Sequence, residues 1–212
     1  MKEERETKRL LFESAKAEFM EKGFEKASLR TICKNAGVTT GALYFFFNNK
    51  EDLFTAIVEE PYNMLLQKIK EHYDEHKEIF LGFSSSADIE PAFLSEQHDS
   101  FEYDLVNSLY ENYDAFLLIV EKSQGTRFEG CIDTIVELTE KSYVFMAEKM
   151  AKMNPGYKVN EYMCHWLTHI SIDAFIHLLT HVHDKNTALK YVKKMIDFML
   201  NGWIDLVLIE DK

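Results

Sequence analysis

An all-α fold is predicted by three observations. Apolar residues recur at three- and four-residue spacing along most of the chain, and strict alternation is scarce. Only 3 Pro and 8 Gly stand among 212 residues, too few for the many tight connections of a β-sandwich or barrel. A composition of 46% hydrophobic and 28% charged residues suits one or two folded domains with an ample core.

The elements follow in order. A first helix is predicted over 4–22, with Leu11, Ala15 and Phe19 at i, i+4 and i+8 and with Leu10, Phe12 and Met20 widening the stripe. Gly23 supplies a left-handed stop, and Phe24 follows as a packing residue. Ser28 is placed to cap a short second helix through Asn35, and Ala36-Gly37-Val38 makes a tight turn. Thr39 can cap a third helix to about Phe46. Asn49 with Asp52 resembles a capping box before a long fourth helix from Lys50, which Pro61 should kink or split. The serine-bearing stretch 82–87 reads as a flexible connection. Further helices are expected over 90–109, 112–122, 127–152, 159–182 and 185–209.

The net charge of −12 argues against nucleic acid only as an average. Residues 1–50 hold ten Lys/Arg against seven Asp/Glu, whereas the remaining 162 hold fourteen against twenty-nine. A basic segment on an acidic body is the charge pattern of a small DNA-facing module.

Residues 28–46 carry a helix-turn-helix pattern. Cys33 is small where two short helices must touch, and Gly37 tolerates the positive φ of the turn. Leu29, Ile32, Val38 and Leu43 would pin the pair onto the first helix. In such a unit the second helix enters the major groove with its N-terminal end, here Thr39-Thr40-Gly41-Ala42. The threonines can reach bases or phosphates, and Gly41 permits close backbone approach. Tyr44 could donate to a phosphate, and Lys50 offers a charge to the backbone. A glycine between short helices also suits a plain αα corner, and this recognition helix carries no Arg or Lys.

Residues 7–58 closely resemble the N-terminal domain of the TetR family of bacterial transcriptional regulators. The match is carried by Ala15, Phe19, Gly23-Phe24, Ser28-Leu29-Arg30-Thr31-Ile32, Ala36-Gly37-Val38, Gly41-Ala42-Leu43-Tyr44, Phe47 and Lys50-Glu51-Asp52-Leu53. Cys33 stands where the family usually has Ala, and Phe45 where it often has His or Tyr. The resemblance implies that Ser28, Arg30, Thr39, Thr40, Gly41, Tyr44, Phe45 and Lys50 lie near a double-stranded DNA operator, with Lys8 or Arg5 beside the flanking backbone. It also implies two domains: a helix-turn-helix domain over 1–49, and a helical ligand-binding and dimerisation domain over 50–212. The last two long helices would form a homodimer, and the middle helices would hold an unknown small-molecule effector.

Local residues agree with that architecture. Val192, Ile196, Met199 and Trp203 form a stripe on the final helix and, with His177 and His181, are assigned to the dimer interface; ordinary intrachain core is the alternative. Tyr110, Tyr113, Phe116, Phe128, Met146, Trp166 and His169 are assigned to the ligand chamber from a middle region dense in aromatics and Met. That region also holds Phe101, Tyr103, Tyr143, Phe145 and Met150, and such a stripe suits filled core equally. Arg127 suits an anionic ligand or a surface helix start.

His165, His169, Asp173, His177 and His181 recur every fourth residue. Each i, i+4 pair is a metal-ligand spacing, but the row drifts about 40° per step and cannot converge on one ion. A metal-dependent hydrolase on helix 159–182 is therefore the weaker alternative, beside a protein-interaction module that has lost DNA binding. No catalytic residue, metal or cofactor is assigned. Cys33, Cys131 and Cys164 have no zinc or disulfide spacing, and the longest apolar run is the six residues 115–120. The start of the sequence does not resemble a signal peptide, so the expectation is a cytoplasmic protein without a membrane partner.

Overall fold

The computed structural model describes residues 2–85, 96–200 and 202–211. The elements are α1 (Lys2–Lys26), α2 (Leu29–Ala36), α3 (Thr40–Phe46), α4 (Lys50–Gly82), α5 (Glu96–Glu111) and α6 (Tyr113–Lys122). They continue as α7 (Cys131–Met153), β1 (Tyr157–Val159), α8 (Glu161–His181), α9 (Lys185–Leu200), α10 (Trp203–Val207) and β2 (Leu208–Glu210). The all-α class stands. Two compact units emerge: Met1–Met64 with Asn112–Ile132, and Leu65–Glu111 with Asp133–Lys212. The expected domain boundary at 49/50 thus falls inside the first unit, because α6 packs on α1 and brings 112–132 with it.

In the first unit, Leu11, Ala15 and Phe19 are fully buried, as the i, i+4, i+8 stripe requires. Gly23 sits at φ 73° and ψ 164°, a conformation available to glycine, and it breaks α1 near its end. The break turns Phe24 back onto the core, with its ring centroid 6.0 Å from Phe19 and 5.5 Å from Phe54. Phe54 meets Phe19 edge-on at 5.2 Å, so three rings join α1 to the start of α4. On α6, Ala115 to Ile119 are all buried, and Lys16 pairs with Asp114 at 3.2 Å.

Pro61 does not split α4, which runs unbroken for 33 residues. The expected helix 127–152 starts later, at Cys131. Thr126 explains the delay: its hydroxyl donates to the Ser123 carbonyl at 2.7 Å and accepts the Phe128 N–H at 3.0 Å, closing a local turn. The 86–87 part of the expected connection and the 90–95 part of the expected helix lie outside the described residues.

Among the described residues of the second unit, two buried clusters stand out. One gathers Phe80, Met146, Met150, Cys164, Leu167 and Trp203; the other gathers Val106, Leu178, Ala188, Val192 and Ile196. The helix expected to reach residue 209 ends at Leu200, with α10 and a short strand after it. β2 pairs antiparallel with β1, Val159 opposite Leu208, a ribbon too short to show as alternation. Asn160 N–H and Asp211 N–H close its ends onto the carbonyls of Val207 and Gly156, each at 2.7 Å.

The dimer-seam assignment needs correction here. Val192, Ile196 and Trp203 are 0%, 4% and 6% exposed within this single chain, so they belong to its own core. The reason is that α9 packs against α5 and α8, which take up its apolar stripe. Met199 is half-buried, its sulfur accepting from Ser171 Oγ at 3.5 Å. His177 and His181 are exposed and stack on each other at 3.9 Å. Truncating Phe54 to Ala should cost about 3–5 kcal/mol through lost burial and the cavity left behind. Phe45→Ala, at a position 72% exposed, should stay within about 0.5 kcal/mol of the parent. Urea unfolding followed by helical circular dichroism distinguishes the two.

Candidate nucleic-acid interface and ligand cavity

The turn between α2 and α3 is fixed by local bonds. Ser28 Oγ accepts the Thr31 N–H at 3.4 Å, and the Ser28 N–H itself donates to the buried Glu18 carboxylate at 3.0 Å. Gly37 adopts φ 68°, and Val38 N–H returns to the Cys33 carbonyl at 3.0 Å. A Cβ at Gly37 would meet nothing within 4 Å, so backbone conformation alone demands glycine there. Thr39 Oγ1 accepts the Ala42 N–H at 3.1 Å and starts α3. Ile32 and Leu43 are buried, which holds α2 and α3 as one rigid corner.

That corner leaves one face in solvent. Arg30, Thr39, Thr40 and Gly41 are exposed, Tyr44 is 57% exposed, and Phe45 is 72% exposed. Ser28 is half-buried and occupied by its cap. Lys8 is exposed at α1, its ammonium 5.3 Å from the Phe12 ring. Lys34, at the end of α2, is an exposed cation that motif reasoning passed over.

Lys50 is different. Its ammonium donates to the carbonyls of Glu25 at 2.9 Å and Ala27 at 3.2 Å and lies 4.6 Å from the Phe24 ring. Two of its three protons therefore cap the end of α1. Burial pushes its pKa down, against the pull of Glu25. The expected capping box is also rearranged. Asn49 Oδ1 accepts the Asp52 N–H at 2.8 Å, but Asp52 reaches Asn48 N–H, at 3.0 Å, instead of Asn49.

Within the second unit a cavity of about 110 Å³ opens among α4, α5, α7, α8, α9 and Trp203. Its walls include Tyr73, Phe101, Tyr143, Met146, Phe175 and Trp203, with Glu102, Thr139 and Ser171 as polar groups. Tyr73 OH bonds Thr139 Oγ1 at 2.9 Å, and Tyr143 OH bonds Ser171 Oγ at 3.2 Å. Desolvation pushes both tyrosine pKa values up, and the nearby Glu102 charge adds to the shift.

Of the residues assigned to the chamber, Met146 lines this cavity and the rest do not. Tyr110 points its hydroxyl at the carbonyls of Leu178 and Val182. Tyr113, Phe116 and Phe128 belong to the first unit, where Phe128 packs on Phe54 and Tyr62. Trp166 and His169 face solvent. The assignment failed because aromatic density does not reveal which side of a helix its neighbours leave open. His72, Tyr73 and His76 on α4 were missed; their i, i+4 histidines were the available signal. Arg127 pairs with Glu59 and gives its N–H to Glu51 at 3.1 Å, so it is a surface residue of its turn.

His165 and His169 lie 4.6 Å apart, and His165 Nδ1 meets Glu140 at 3.2 Å. Among the described residues no group of three His, Cys, Asp or Glu is arranged to hold a metal ion. Burial also pushes the Cys33 thiol up, and the Cys164 thiol up to about 11, against a nucleophilic role.

A trihelical corner with an exposed third-helix tip defines a helix-turn-helix protein, the architecture that enters the DNA major groove. Residues 11–57 match the family model for bacterial regulatory proteins of the tetR family. The likeness to the tetR family is thus carried by this N-terminal stretch. YhgD, an uncharacterized HTH-type transcriptional regulator of Bacillus subtilis (strain 168), is 36% identical over 76 residues, 36% of this chain and 38% of that protein. The HTH-type transcriptional regulator TtgR of Pseudomonas putida is 39% identical over 57 residues, 27% of each chain. The matched stretches thus span less than two fifths of these relatives' lengths. Among solved structures, NalD, the secondary repressor of the MexAB-OprM multidrug efflux pump in Pseudomonas aeruginosa, shares the fold over 100% of both chains, with a TM-score of 0.56 and 19% identity. A transcriptional regulator (TerR/AcrR family) from Aquifex aeolicus VF5 gives a TM-score of 0.54 at 18% identity, covering 91% of this chain and 99% of that one.

Lys50→Met should lower the unfolding free energy by about 1–2 kcal/mol with no DNA present, because the Glu25 and Ala27 carbonyls lose a charged donor. Denaturant titration of the free protein checks this. An unchanged midpoint would show that the two carbonyl contacts contribute nothing.

Proposed function

We propose that this chain is a ligand-responsive, DNA-binding transcriptional regulator, a repressor that binds a palindromic operator as a homodimer in the cytoplasm. The observation that carries the reading is the rigid α2–α3 corner with Arg30, Thr39, Thr40, Gly41, Tyr44 and Phe45 turned to solvent. The matched relatives named as transcriptional regulators support it. Among the described residues no helix is long and apolar enough to cross a membrane.

The α3 tip enters the major groove, where the Thr39 and Thr40 hydroxyls meet base edges or phosphates and Tyr44 donates to the backbone. Phe45 offers an apolar ring, suited to contact with a thymine methyl. Arg30 and Lys34 add charge from α2. Lys50 acts chiefly by fixing the end of α1, and any phosphate contact uses its remaining proton.

Two copies set their α3 helices about 34–36 Å apart, one turn of DNA. The dimer seam uses what α8 and α9 leave exposed: Tyr162 and Trp166 on the first, Tyr191 and the 79% exposed Phe198 on the second. Effector binds in the cavity lined by Tyr73 and Tyr143 and biases α4, whose residues divide between the two units at 64/65. Such a ligand shifts the equilibrium only by its differential affinity for the operator-fitting and released states.

Gel-shift titration with DNA from the flanks of the chain's own gene should give binding that weakens steeply with salt. Thr40→Ala and Tyr44→Phe should each weaken it about three- to tenfold, at unchanged stability, through one lost hydrogen bond. Salt-insensitive binding, or none, would overturn the DNA reading in favour of a protein-interaction module. In sedimentation, Phe198→Glu should convert dimer to monomer; a wild-type monomer would overturn the paired mechanism.

A further inference from the structure

We infer, independently of the DNA reading, that His165 and His169 on α8 form a binding site for a divalent transition cation of the copper, nickel and zinc class. The two residues stand one turn apart on the exposed face of the helix, with ring centroids 4.6 Å apart. That spacing suits a chelating pair, because nitrogens at about 2.0–2.1 Å from one ion lie roughly 3 Å from each other. Each imidazole lone pair points in the plane of its ring, so an ion shared by two rings has to lie near both planes. The His165 and His169 planes cross at 67° and meet beside the pair. His177 and His181 have the same spacing but stack at 3.9 Å within 22° of parallel, so their planes meet far from either ring. His72 and His76 are crossed, but His72 lies flat on Phe101 at 3.5 Å, which commits its ring to the cavity wall.

A carboxylate stands behind the exposed pair. Glu140 on α7 meets His165 Nδ1 at 3.2 Å. An ionised carboxylate accepts and does not donate, so Nδ1 carries the proton and the lone pair sits on Nε2, on the other side of the ring. A carboxylate on the far nitrogen is the partner that orients ligating histidines and raises their basicity. Glu140 is thus a positioning residue and not a ligand. Among the described residues no group of three His, Cys, Asp or Glu is arranged around one ion, in keeping with a site of two protein ligands. Water fills the remaining positions, giving the tetragonal nitrogen-and-oxygen set that suits Cu2+ and Ni2+ and not Mg2+. The local charge favours a cation. Glu161 and Asp173 are exposed one turn beyond either end of the pair, and α8 carries no Lys or Arg.

The test titrates Cu2+ alone into the full chain without DNA and follows it by electron paramagnetic resonance. The tightest site should take about one ion per chain and show the splitting of two nitrogens. His165→Asn and His169→Asn should each weaken it at least about tenfold, whereas His177→Asn with His181→Asn leaves it unchanged. Glu140→Ala should weaken it about tenfold while both nitrogens stay in the spectrum, which a purely structural role for Glu140 would not produce. Acidification from about pH 7.5 to about 5.5 should release the ion as the imidazoles protonate. These side chains reach the surface, so each variant should keep the parent's urea midpoint without metal. Saturating Cu2+ should then raise the midpoint more in the parent than in His169→Asn. A tightest site that survives loss of both His165 and His169, or a spectrum with a single nitrogen, would overturn the inference. Equal affinity in Glu140→Ala and the parent would overturn the positioning role of the carboxylate.

Discussion

The positive φ of Gly23 is the constraint on which the N-terminal unit depends. Because the chain leaves the helical path there, Phe24 returns to Phe19 and Phe54, and three rings lock α1 to α4. Past the last helical donors of α1, the carbonyls of Glu25 and Ala27 are met by the Lys50 ammonium at the start of α4. Any other residue at 23 would have to hold a left-handed φ at a cost of about 1–2 kcal/mol. The α2–α3 corner is mounted on this joint, with Ser14 Oγ donating to the Ile32 carbonyl at 2.8 Å. The orientation of α3 is therefore decided by the joint behind it, not by its exposed face.

Legibility in the sequence followed the range of the interactions. Ser28, Gly37, Thr39 and Asn49 act within four residues of themselves, so their caps and turns could be read directly and match the structure. Phe54 and Lys50 act over longer separations, and Lys50 read as a surface charge because nothing local shows the α1 carbonyls it covers. The C-terminal half is governed by such long-range choices. The stripe of Val192, Ile196 and Trp203 was visible, but a stripe does not say whether its partner is α5 or a second chain. A cavity is harder still, since it exists where side chains fail to fill space. Tyr110 and Phe128 are as aromatic as Tyr143 and Phe101, yet the first two are packed away and the latter two line the opening.

The charge asymmetry bears on the proposed DNA reading. Residues 51–212 carry fourteen basic against twenty-nine acidic side chains. On the proposed reading, DNA is repelled by that surplus and meets net positive charge in the first fifty residues. With no Arg or Lys on α3, readout falls to hydroxyls and aromatic rings, whose energies are smaller than those of bidentate guanidinium contacts. On the proposed reading, affinity then depends on how firmly the α2–α3 corner is held in place. α4 runs unbroken through Pro61, so Lys50 and Tyr73 stand on one 33-residue helix.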